Sequence, residues 1–158
     1  MNAAALKTEQ KSETRDIVVE EVFPHAPETI WKTLTTGELI RRWIPMPLTG
    51  FEAVKGASFT FQTRPEGAWD GVIHCQILEV TPGERLAYAW KGGHEGNVGY
   101  GAPLSTVVTW TLVRVGGGTR LRLVHSGFVS PRNDTALKGM SEGWIKVVHD
   151  IGAIAGEQ

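Results

Sequence analysis

The spacing of apolar residues changes period several times along the chain. "DIVVEEVF", residues 16–23, joins a β-branched run to alternation and predicts a first strand, stopped by Pro24 and Pro27. In "PETIWKTLTTGELIRRW", Ile30, Trp31 and Leu34 fall on one helix face. Thr36 and Gly37 then separate a second short helix carrying Leu39 and Ile40. From Phe51 onward the period is that of strands. Phe59 and Phe61 share a face in "ASFTFQTR", as do Leu86, Tyr88 and Trp90 in "RLAYAW". Val108, Trp110 and Leu112 align in "STVVTWTLVRV", and Leu121, Leu123 and His125 align in "TRLRLVHS" against Arg120 and Arg122. "GVIHCQILEV" is apolar on both faces, so the side taken by His74 stays open. Pro82-Gly83 and Gly116-Gly117-Gly118 supply turns.

The last segment, from about Asn133, places Leu137, Met140, Trp144, Val147 or Val148, Ile151 and Ile154 three and four apart. That spacing predicts a long amphipathic helix capped by Asn133 or Asp134. Its apolar stripe must be buried, and the only large apolar partner is the sheet. The expected class is α+β: one strand, two short helices, about six more antiparallel strands and a long C-terminal helix. Residues 1–14 read as a flexible leader, and 15–158 as a single domain. Gly139 and Gly143 lie in the helix where alanine would be more stable by roughly 1 kcal/mol each. Either close packing or a space kept open must compensate.

Composition narrows the function classes. Hydrophobic residues form 41% and charged residues 21% of the 158, which fits a globular protein. The net charge is −1 and the basic residues are scattered, so no nucleic-acid partner is expected. Cys75 is the single cysteine, which removes an intramolecular disulfide and makes a thiolate zinc site unexpected. No segment pairs a basic start with an apolar run, so no membrane partner is expected and the cytoplasm is the default compartment.

"APETIWKTLTTGELIRRW", "GVIHCQILEVTPGERLAYAW", "STVVTWTL" followed by "GGTRLRLVHSGF", and "EGWIKVV" occur in this order from about Asp16 to Ile154. Together they closely resemble the activator of heat-shock-protein-90 ATPase homologue family, within the START-like (SRPBCC) superfamily. The resemblance implies a helix-grip fold, a curved antiparallel sheet of about seven strands around the C-terminal helix, with the two short helices closing one end. It also implies a cavity between sheet and helix for an apolar or aromatic ligand.

Candidate ligand-binding residues are those the alternation turns inward. They are the aromatic groups Phe59, Phe61, Tyr88, Trp90, Trp110 and Trp144, the helix residues Met140 and Gly143, and the histidines His125 and His74. A neutral imidazole offers one donor and one acceptor, so His125 is the expected polar anchor. Trp43 and Trp69 are expected at the cavity mouth, and the glycine-rich connection "KGGHEGNVGYGAP" is expected as a lid. His94 and Glu95 lack a third ligand, so no metal site is expected. No phosphate-binding glycine motif, nucleophile elbow or HExxH pair occurs, and no cofactor is expected. The leading expectation is a non-catalytic protein, monomer or homodimer, that binds a small apolar or aromatic molecule. Alternatives are an enzyme like the polyketide cyclases, using His125, His74 or Tyr88, and a co-chaperone with an apolar patch around Trp43 and Ile44.

Overall fold

The computed structural model describes residues 13–158. The expected leader lies outside them apart from Glu13 and Thr14, which already pair with Ser130 and Val129. The elements are β1 (Glu13–Phe23), α1 (Pro27–Thr35), α2 (Gly37–Trp43), β2 (Leu48–Thr49), β3 (Ser58–Gln62), β4 (Val72–Thr81), β5 (Arg85–Gly92), β6 (Leu104–Val115), β7 (Gly118–Ser130) and α3 (Asp134–Ala155). They match the helix-grip expectation: one seven-stranded sheet in the order β1-β7-β6-β5-β4-β3-β2, antiparallel throughout. Strands β2 to β7 form a meander, as short turns require. The α1–α2 connection carries the chain from β1 at one edge to β2 at the other.

Pro27 opens α1 at a position where its missing N–H costs nothing. The corner between α1 and α2 is closed by Trp43, whose Nε1 donates to the Thr33 carbonyl at 2.9 Å. Trp43 is therefore buried, at 2% exposure, and supplies no cavity mouth; Ile44 is buried too, at 4%, so the pair forms no apolar surface patch. In β4 the alternation resolves the open question: Ile73, Cys75 and Ile77 point inward and His74 is exposed on the outer face. A bulge then falls between Ile77 and Glu79, leaving Leu78 outside.

A second bulge explains the unusual end of β7. Asp16 pairs with Ser126 and Arg15 with Phe128, so Gly127 is the extra residue. Its φ of 101° lies in the region glycine favours. The insertion shifts the alternation by one, so that His125 and Phe128 both face inward, with ring centroids 4.6 Å apart.

Helix α3 packs on β1 and β7 and against α1 and α2. Asn133 occupies the N-cap position but its side chain does not cap the helix. Instead Oδ1 accepts from Val129 N at 2.9 Å and Nδ2 donates to the Pro103 carbonyl at 2.8 Å, joining the end of β7 to the loop before β6. Further along, Gly152 lies against the Phe23 ring, and a Cβ there would overlap it. Close packing is thus the role of Gly152 and not of Gly139 or Gly143, over which nothing lies within 4 Å.

Between helix and sheet runs a short polar chain. The Trp144 Nε1 donates to His125 Nδ1 at 3.0 Å. Thr106 Oγ1 donates to the Trp90 carbonyl at 2.8 Å, so it must accept from His125 Nε2, also at 2.8 Å. His125 is thereby the neutral tautomer protonated on Nε2, with both nitrogens in use. Burial pushes its pKa down from 6.5 to about 3.

Two outcomes are expected. Gly152→Ala should lower stability by about 1–3 kcal/mol, whereas Gly139→Ala should raise it by up to ~1 kcal/mol; urea unfolding of both variants checks this. For pH, the folded and unfolded states are both neutral at His125 above its unfolded pKa, and the group then adds no pH dependence. As the pH falls from 6.5 toward about 3, only the unfolded state takes up the proton, so stability drops. The limiting slope is ~1.4 kcal/mol per pH unit. His125→Gln, whose amide can accept from Trp144 and donate to Thr106, should show a shallower acid-side loss in unfolding curves measured across that window.

Candidate functional site

Where α3 crosses the far end of the sheet from β1, the two separate and leave a cavity of about 340 Å³, open to solvent on one side. This lies at the small end of the size range of ligand pockets, roughly 300–1,000 Å³. One wall is α3, through Ala136, Gly139, Met140, Gly143, Trp144 and Val147. The facing wall is sheet, through Ile73 on β4, Trp90 and Gly92 on β5 and Leu104 on β6. Ile44, Pro45 and Met46, following α2, close a third side.

Two loops complete the rim, contributing Thr63 and Trp69 from one and Gly93, Tyr100, Gly101 and Ala102 from the other. They are cross-linked. Asn97 Nδ2 donates to the Glu66 carbonyl at 2.7 Å, while its Oδ1 accepts from Ala68 N at 3.1 Å. The Tyr100 hydroxyl donates to the Arg64 carbonyl at 2.7 Å, and the Arg64 guanidinium lies 4.3 Å from the Tyr100 ring centroid. Gly101, at φ 86°, lets the backbone pass beside the Trp69 ring. The loop expected as a lid therefore borders the cavity as a tied wall, held at its other end by Asn133.

Among the described residues, no charged side chain lines the cavity, and its polar side chains are Thr63, Thr135, Tyr100 and the indoles of Trp69, Trp90 and Trp144. Of the expected site residues, Trp69, Trp90, Met140, Gly143 and Trp144 line it. Gly139 and Gly143 present bare helix backbone, and a Cβ at either position would meet nothing within 4 Å.

The others sit elsewhere. Phe59, Phe61, Tyr88 and Trp110 are core, linked edge to face at 5.2 Å for Phe59–Tyr88 and 5.8 Å for Phe59–Phe61. Trp110 Nε1 donates to the Tyr88 hydroxyl at 3.0 Å, and burial raises the Tyr88 pKa. His125 stands behind the wall: its 5.9 Å contact with the Trp144 ring and 5.3 Å contact with the Trp90 ring place it on their core side, away from the lining. His74 faces outward and Trp43 is buried in the helix corner. Cys75 is likewise buried, which raises its thiol pKa and keeps it protonated.

Tyr100, Met46 and Leu104 are lining residues that periodicity does not reveal. Tyr100 alone had a signal, as an aromatic residue flanked by glycines in a long loop. No group of three or more potential metal ligands occurs among the described residues, and no helix among them is long and apolar enough to cross a membrane.

Comparison with solved structures returns the same architecture. Protein MLL2253 from Mesorhizobium loti is 32% identical, with a TM-score of 0.78, over 91% of this chain and 98% of that one. CalU16 from Micromonospora echinospora is 22% identical, with a TM-score of 0.68, over 90% of this chain and 77% of that one. The Aha1 dimer from Colwellia psychrerythraea is 17% identical, with a TM-score of 0.67, over 87% and 93%. No curated protein matches. A family model described as "Activator of Hsp90 ATPase homolog 1-like protein" matches residues 24–156, from the end of β1 through α3, and the chain belongs to that family.

Proposed function

We propose that the protein binds a small apolar, ring-bearing molecule in the cavity between α3 and the sheet, and that it does so without catalysing a reaction. The observation that carries this reading is the pair Gly139 and Gly143. Each weakens the helix by roughly 1 kcal/mol relative to alanine, and neither meets a neighbour within 4 Å that would account for it. Open space over a helix is useful to a protein that fills it with something else. The aromatic side chains Trp69, Trp90, Tyr100 and Trp144 and the thioethers Met46 and Met140 suit flat apolar partners.

The case against catalysis is chemical. A general base needs a free lone pair and a pKa near the working pH. His125 has both nitrogens engaged and a pKa near 3. The Tyr88 hydroxyl and the Cys75 thiol are held protonated by burial, and neither lines the cavity. The protein-interaction alternative loses its surface, because Trp43 and Ile44 are buried.

Gly143→Leu tests the reading. Its side chain should project into open space and leave the fold intact, while occupying ligand volume. In a thermal-shift screen of aromatic and lipid-like compounds, wild type should be stabilised in proportion to the logarithm of ligand concentration, by about 2.7 kcal/mol at a hundredfold excess over Kd. The leucine variant should lose most of that response. Equal stabilisation of a folded Gly143→Leu protein would move the binding site elsewhere.

A further inference from the structure

The two connections that rim the cavity are separate hairpins. In the one between β3 and β4, Thr63 N donates to the Gly71 carbonyl at 2.8 Å, and Glu66 and Trp69 exchange backbone bonds at 3.1 and 3.0 Å. In the one between β5 and β6, His94 N donates to the Gly101 carbonyl at 2.8 Å and Ala102 N to the Gly99 carbonyl at 3.1 Å. Each hairpin therefore holds its own shape, and what remains to be fixed is the distance between them. Among the described residues, the hydrogen bonds that cross from one to the other belong to two side chains, Asn97 and Tyr100.

Asn97 carries most of that crossing. Its Nδ2 donates to the Glu66 carbonyl at 2.7 Å and its Oδ1 accepts from Ala68 N at 3.1 Å, so both ends of one planar amide are bound to the opposite hairpin. A Cβ at Gly67 would lie 2.8 Å from Oδ1, and one at Gly101 would overlap Nδ2. Both hairpins are thus shaped around this amide. The site is half-buried, so water can serve the same backbone groups in its place, and what the amide adds is position. The side chains whose position it sets are Trp69 and Tyr100, one from each hairpin. Their ring centroids are 5.6 Å apart and both line the cavity.

We propose that Asn97 is the positioning residue that sets the size of molecule the cavity accepts: by clasping the two hairpins it fixes Trp69 and Tyr100 as one wall, and molecules larger than the space they leave are turned away. The inference rests on the ligand-binding reading above and adds a determinant of specificity to it. A wall already in place costs a small ligand little ordering on binding, and it gives a large one no room. Without the clasp each hairpin keeps its internal bonds, so the fold survives while the wall is free to part. Loss of Asn97 therefore has opposite consequences for small and large ligands. Loss of stability alone would weaken both.

Two uncharged fluorescent ring compounds of different size test this, N-phenyl-1-naphthylamine and the larger Nile red, each titrated into the full chain. Wild type should bind the smaller one at least about tenfold more tightly. In Asn97→Ala the smaller should bind about threefold to tenfold more weakly, through faster dissociation, while the larger binds no more weakly than before. The preference should therefore fall to about threefold or less. Gly152→Ala, which disturbs packing at the other end of α3, should keep the wild-type preference. Should Asn97→Ala not fold, Asn97→Asp, which keeps the bond from Ala68 N and loses the one to the Glu66 carbonyl, is read in the same way. A full preference in a folded Asn97 variant, or equal binding of both compounds by wild type, would overturn the role of Asn97 while leaving the ligand reading intact. Binding of neither compound to wild type would count against the ligand reading itself, and this inference would fall with it.

Discussion

The hydrogen bond from Trp144 on α3 to His125 on β7 is the contact on which the arrangement of helix and sheet depends. It is buried, directional and continued by Thr106 on β6 to the backbone of β5, so four elements share one polar chain. Around it the Trp90 and Trp110 rings meet Trp144 at 5.8 and 5.7 Å. A satisfied network of this kind specifies one packing, because any shift of the helix strands a buried donor or acceptor. On one side of Trp144 the interior is filled; on the other the helix and sheet part and the cavity begins. Trp144 therefore belongs both to the core and to the wall.

The three glycines within α3 divide along the same line. Gly152, on the filled side, is small because Phe23 lies against it, whereas Gly139 and Gly143, on the open side, are small with nothing against them. The same residue type thus serves contact at one end of the helix and vacancy at the other. The loops follow suit: Asn97 and Tyr100 tie the two rim segments together, and Asn133 ties the second of them to the start of the helix. These backbone-directed bonds hold the rim of the cavity, whose lining among the described residues has no charged side chain.

Among the described residues, the lining carries no charged side chain. The titratable side chains turned inward are neutral for a common reason, burial, which lowers the His125 pKa and raises those of Tyr88 and Cys75. The lining of the cavity is ring surface, aliphatic side chains and thioether. Fold membership alone would not have distinguished these roles, since one architecture hosts many functions.

The order and type of the elements were determined by the sequence, because strand and helix periods differ and each apolar stripe has one face to bury. Turn residues set the meander, and the segments resembling the family spanned almost all of it. Which aromatic residues became wall and which became core was another matter. Phe59, Tyr88 and Trp90 all point inward by alternation, yet only Trp90 reaches the cavity, because that depends on where the curved sheet leaves the helix. The side taken by His74 required the register of β4, and the inward turn of both His125 and Phe128 required the Gly127 bulge, which shifts the alternation by one residue. Trp43, at the end of a short helix, gave no sign of the carbonyl that buries it. Inward or outward is a local property that periodicity encodes; distance from an opposing element arises only when the sheet has curved and the helix has docked.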